Sequence, residues 1–152
     1  MVLPQLAAAG AVAYGGVKAV EYLTTSEHDR ALKTTYKHLE STVPDATLFV
    51  DHIDVDADGN PEGVLDSDRI PDLILHNQRS ANLVVEVETG DSLRNAGDEA
   101  RAQLQAFRSP GYRRVLVVPE DASELAKRAI HDWPIDDETT YVANPSTASD
   151  AL

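Results

Sequence analysis

Apolar positions along the chain change period several times, and each change predicts an element. Leu6, Tyr14, Val17, Val20 and Leu23 keep roughly helical spacing in residues 1–24, a segment with no charge before Lys18. Leu32, Tyr36, Leu39 and Val43 follow at i, i+4, i+7 and i+11, the stripe of a second helix. Ser26 and Asp29 suit its N-terminal cap, and Pro44-Asp45 its stop. From Thr47 to Val55 the pattern alternates, which predicts a strand with Phe49, Ile53 and Val55 on one face. Leu73–Leu75 and Leu83–Glu88 are two more apolar runs, joined by a polar turn from His76 to Asn82. Ala100, Leu104 and Phe107 form the buried stripe of a third helix that Ser109-Pro110-Gly111 ends. Arg114 to Val118 is a continuous apolar run after its first residue, the mark of a central parallel strand. A helix over 122–131, a short strand over 139–142 and a loose polar tail over 144–152 complete the pattern.

The order is helix, three strands, helix, strand, helix, strand. It predicts an α/β domain over 25–143: a mixed sheet, a three-strand meander plus crossover strands, flanked by helices. Residues 1–24 fit three roles: a helix packed on this domain, a homo-oligomer contact, or a membrane anchor. Seventeen uncharged residues sit at the lower limit for a span, and their Ala and Gly content makes them weakly hydrophobic. No basic residue precedes the apolar run, which argues against a secretory signal.

Composition narrows the picture. The chain has 152 residues, 42% of them hydrophobic, enough for one domain with a real core. It has no cysteine, which excludes disulfides and thiolate metal sites. Its net charge is −13, and Lys18, Lys33, Lys37 and Lys127 are its only lysines. An acid-rich, lysine-poor chain fits a high-salt cytoplasm of the archaeal type; an ordinary acidic protein is the alternative. Negative charge opposes phosphate binding, but the Debye length shrinks to about 3 Å at 1 M salt. Arg94, Arg101, Arg108, Arg113 and Arg114 also share one window with only Asp98 and Glu99 against them. Arg101, Arg108, Arg113 and Arg114 are therefore candidate nucleic-acid contacts, and a solvated helix face is the other reading.

The candidate chemistry lies in acids set among apolar residues. Pro71-Asp72 opens the second strand, and Glu86-Val87-Glu88 ends the third, fourteen residues after Asp72. Strand alternation puts Leu83, Val85 and Val87 on one face, and Glu86 and Glu88 on the other. A hairpin register that sets Asp72 beside Glu86 gathers three carboxylates at one sheet end. Burying them is costly without compensation, and a divalent cation is the usual one. The loop Asp54–Asn60 imitates the start of a calcium loop, but its twelfth position is Leu65 and no helix precedes it, so it reads as a polar turn.

Pro71-Asp72 and Glu86-x-Glu88, on these strands of this element order, resemble the PD-(D/E)xK nuclease superfamily. The motif covers Pro71–Glu88, and the fold-level likeness runs from about Ser26 to Val118. Gln103 to Phe107 resembles the Gln-x-x-x-Tyr element of the recombination-exonuclease branch, with Phe for Tyr. The resemblance implies a restriction-endonuclease-like core and Mg²⁺ or Mn²⁺ held by Asp72, Glu86 and Glu88. It also implies catalytic roles for Asp72, Glu86, Glu88 and Gln103, with Glu40 as a possible extra ligand. Glu88 stands where the family has Lys, as in some Glu-x-Glu restriction enzymes, where the second Glu is read as a metal-linked base. Arg101 is a candidate replacement for the lost positive charge. Three functions follow as expectations: a DNA nuclease, an inactive DNA-binding or assembly module of that fold, or a structural component of a virion or mobile element.

Overall fold

The computed structural model describes residues 14–133, 135 and 137–152. The expectations for residues 1–13 lie outside them. Helix α1 (Tyr14–Thr42) leads into β1 (Thr47–Val50), β2 (Leu73–His76) and β3 (Asn82–Val87). Then come α2 (Gly90–Ala106), β4 (Tyr112–Val117), α3 (Ser123–Asp132) and β5 (Thr140–Ala143), with short 3₁₀ turns after β4, before β5 and at the C-terminus.

The expected cap at Ser26 is a correction. α1 is one helix of 29 residues running through that position. Ser caps a helix only where the preceding chain leaves helical geometry. Here Thr24 and Thr25 continue it, with neither Gly nor Pro to interrupt. The chain divides into two units, α1 up to Arg30 and Ala31–Leu152. In the first, His28 Nδ1 lies 3.1 Å from Asp29 Oδ1. Among the described residues no helix is long and apolar enough to cross a membrane.

The second unit holds a five-stranded mixed sheet in the order β1-β2-β3-β4-β5. β1, β2 and β3 form an antiparallel meander. β4 and β5 run parallel to β3, reached through crossovers carrying α2 and α3. Period-two alternation splits the core across the sheet. Leu73, Leu75, Leu83, Val85, Val87, Val115 and Val117 pack with Leu32, Tyr36 and Leu39 of α1. On the other face Ile74 and Val84 pack with Phe107, and Leu116 packs with Leu104 of α2 and Ile130 of α3. Helices on both faces explain why β3 and β4 read as continuous apolar runs.

Two further expectations change. β1 ends at Val50 instead of Val55, because His52 takes a positive φ of 46° that turns the chain out of the sheet. Phe49 consequently packs on the α2 face, whereas Ile53 and Val55 pack on the α1 face. The loop then returns along β1: Val50 N donates to Gly59 O at 3.0 Å, and Leu48 N to Asp58 Oδ2 at 2.8 Å. Asp58 thereby satisfies an edge-strand donor, the work of a polar turn. The C-terminal tail is not loose. Ala148 and Ala151 are buried against the α1 face, and Arg113 Nη1 donates to Ala151 O at 2.6 Å. Two small apolar residues three apart make that contact, too weak a pattern to stand out among polar neighbours.

Candidate functional site

The register of the meander builds the site. Leu73 pairs with Val85, which brings Asp72 level with Glu86. Asp72 N donates to Glu86 Oε1 at 3.0 Å, and Val87 N donates to Asp72 Oδ2 at 2.8 Å. Each carboxylate thus takes a backbone donor from the other's strand. Asp72 is 9% exposed and Glu86 only 3%.

β1 extends the row. Val50 pairs with Leu73, and Asp51 N donates to Asp72 O at 3.0 Å, one step beyond the last strand pair. Asp51, Asp72 and Glu86 therefore stand side by side across three strands. Directly opposed residues share a face of a sheet, and Glu86 shares its face with Val84, which packs under α2. Glu88 follows two residues later on the same face, where β3 passes into the cap of α2. Its N–H donates to Val117 O at 2.9 Å, and its Oε1 accepts from Ser92 Oγ at 2.5 Å.

The electrostatics follow from this packing. Burial, followed by the Asp72 charge, pushes the Glu86 carboxyl well above the usual range. Glu88 and Asp51 push in the same direction, and only the hydrogen bond from Asp72 N opposes them. Among the described residues, the charged groups acting on Glu86 are thus all acids. Such a group needs either a proton or a cation, and a carboxylate-only donor set suits a hard divalent ion such as Mg²⁺ or Mn²⁺.

Other expected residues lie elsewhere or have other partners. Gln103 sits half-buried on α2, with its carbonyl accepting Phe107 N at 3.1 Å. Arg101 Nη2 lies 3.5 Å from Asp98 Oδ1. Glu40 is exposed and accepts the Tyr36 hydroxyl at 2.7 Å; that hydroxyl also reaches Asp56 O at 2.8 Å. Burial, followed by the Glu40 contact, pushes Tyr36 up to about 12. Asp51, not Glu40, is the additional acid acting on Glu86.

The arginine window is partly engaged within the fold. Arg114 is 2% exposed, with Nη1 on Leu104 O at 2.9 Å and Nη2 on Thr139 Oγ1 at 3.3 Å. Arg113 serves Ala151 O and lies over the Tyr141 ring. Both guanidinium groups hold the fold together through these contacts. Arg108 is exposed and lines a cleft of about 260 Å³ together with Arg114 and Tyr112, at the start of β4, away from the acidic row.

Sequence reasoning missed Asp51 and Ser92. Asp51 was legible as an acid directly after a short apolar strand. Ser92 was legible as the third residue after Thr89, a capping spacing ahead of α2. No protein family model, curated protein or solved structure matches the chain.

Proposed function

We propose that this protein is a Mg²⁺-dependent nuclease with a restriction-endonuclease-like core, hydrolysing DNA phosphodiesters in a high-salt cytoplasm. One observation carries the reading. Asp72 and Glu86 lie buried side by side on adjacent strands, and among the described residues the charges acting on Glu86 are all negative. A purely structural sheet gains nothing from such a pair, whereas a cation turns its cost into affinity. The support from sequence is that these two residues carry the Pro-Asp and Glu-x-Glu resemblance.

Asp72 and Glu86 would hold the ion, with Glu88 as a further ligand beside them. A bound Mg²⁺ supplies positive charge at the scissile phosphate and acidifies water there. Glu88 would accept the proton of the attacking water as the new P–O bond forms and the bond to the sugar oxygen breaks, that oxygen taking up a proton from solvent. Arg101 and Arg108 remain the candidates for backbone phosphates.

Nicking of supercoiled DNA in molar KCl with Mg²⁺ or Mn²⁺ tests this. Metal-dependent cutting by wild type that Glu86→Ala removes is the expected result. A second reading has its own observation: the family's Lys position is Glu88, which brings no positive charge. No cutting with either metal, alongside retained DNA binding, would select the inactive DNA-binding or assembly module.

A further inference from the structure

The start of α2 is built so that one hydroxyl joins the helix cap to Glu88. Thr89 is the N-cap, and its Oγ1 accepts Ser92 N at 3.1 Å. Ser92 Oγ in turn accepts Thr89 N at 3.1 Å and the Thr89 hydroxyl at 3.2 Å. A serine hydroxyl has two acceptor sites and one proton. With both acceptor sites engaged, its proton goes to Glu88 Oε1 at 2.5 Å, closer than the alternative acceptor, Thr89 O, at 3.2 Å. The hydroxyls of Thr89 and Ser92 form a directed chain in which each donation strengthens the next. In an ordinary capping box this position is a Glu or Gln whose own side chain reaches back to the N-cap. Here a short hydroxyl does that work and remains able to hold a carboxylate belonging to the acidic row.

We propose that Ser92 is a positioning residue that fixes the Glu88 carboxylate for metal binding, with Thr89 orienting its hydroxyl. The inference rests on the nuclease reading above and adds how its third acid is held. A ligand carboxylate left to rotate loses part of its affinity to the entropy of being ordered. Loss of such supporting hydrogen bonds typically weakens metal binding about 10- to 100-fold. The cap itself survives Ser92→Ala, because Thr89 Oγ1 still accepts the backbone N–H of residue 92.

The test is calorimetric titration of the full chain with Mn²⁺ in molar KCl, with thermal melting in chelator as a folding control. Ser92→Ala is expected to weaken Mn²⁺ binding about tenfold, whereas Ser92→Thr, which keeps the hydroxyl, stays within about threefold of wild type. In a Glu88→Gln background, Ser92→Ala should change affinity by less than about twofold, because the group it positions is gone. Should Ser92→Ala fail to fold, Ser92→Cys makes the same comparison with a poor donor of similar size. Equal affinity of Ser92→Ala and wild type overturns the proposal, as does an equal loss in Ser92→Thr. A loss that persists without Glu88 assigns Ser92 to the helix cap alone and overturns it too. Wild type that binds no Mn²⁺ overturns the metal reading itself, and the positioning role with it.

Discussion

Glu86 destabilises the fold whenever it is ionised without a cation. Its folded-state carboxyl is raised above the ordinary value of 4.5 by burial and by Asp72. A raised pKa means that the stabilising contribution is complete below the unfolded value and is lost as pH rises through the folded one. Glu86→Gln keeps an acceptor for Asp72 N and removes the charge. In chelator at neutral pH it should raise stability by about 1 kcal/mol or more, or roughly 2–4 °C for a chain of this size. The gain should shrink as pH falls towards 4.5, and thermal melts across that range check it. Saturating Mg²⁺ should reverse the order, since only wild type then gains the binding energy, about 2.7 kcal/mol at one hundred times the Kd. Arg114 makes the opposite point about a charged side chain. Arg114→Ala removes the guanidinium bonds to the Leu104 carbonyl and Thr139 Oγ1 and opens a cavity. It should cost roughly 2–4 kcal/mol in urea unfolding while leaving DNA affinity of the folded protein unchanged. The Asp72–Glu86 pairing was legible because a hairpin register follows from two alternating runs and the turn between them. The burial of Arg114 was not, because it depends on how the end of α2 and the turn before β5 meet.

At the level of elements, the hydrophobic periods gave the order and the parallel or antiparallel sense, because every strand needed covering on both faces. They failed where contact is made by small residues or by backbone. Ala148 and Ala151 anchor the C-terminal turn against the α1 face, with the Arg113 hydrogen bond beside them. Deleting residues 146–152 exposes Val117 and Tyr141 neighbours and leaves the Arg113 guanidinium without its carbonyl partner. It should cost about 2 kcal/mol or more in urea unfolding; an unchanged midpoint would mean that the tail is dispensable. The loop after β1 shows the same limit of sequence reading. Residues Asp51–Val55 alternate as a strand would, yet the His52 backbone and the returning Asp58–Gly59 segment end the ladder at Val50. That turn comes just after Asp51, which the β1–β2 register sets level with Asp72 as a fourth acid at the site.

For the whole molecule, a net charge of −13 bears on the proposed encounter with DNA. The sequence window that looked basic is largely engaged within the fold. Arg94 pairs with Asp91 and Arg101 with Asp98, while Arg113 and Arg114 serve carbonyls. On the proposed reading that window offers few cations to phosphates, so counterion release through it should contribute little to affinity. For B-DNA each phosphate neutralised adds about −0.9 to the slope of log K against log salt. A protein contacting phosphates through Arg101 and Arg108 should show a slope no steeper than about −2, and Arg108→Ala should reduce it by about 1. Raising KCl also screens the repulsion between the acidic surface and the DNA, since the Debye length falls from about 10 Å at 0.1 M to 3 Å at 1 M. Binding of a short duplex should consequently persist into molar KCl, where a basic nuclease relying on many phosphate contacts lets go. A steep negative slope measured by fluorescence anisotropy would show that another basic surface carries the contact, and would remove these two arginines from the interface.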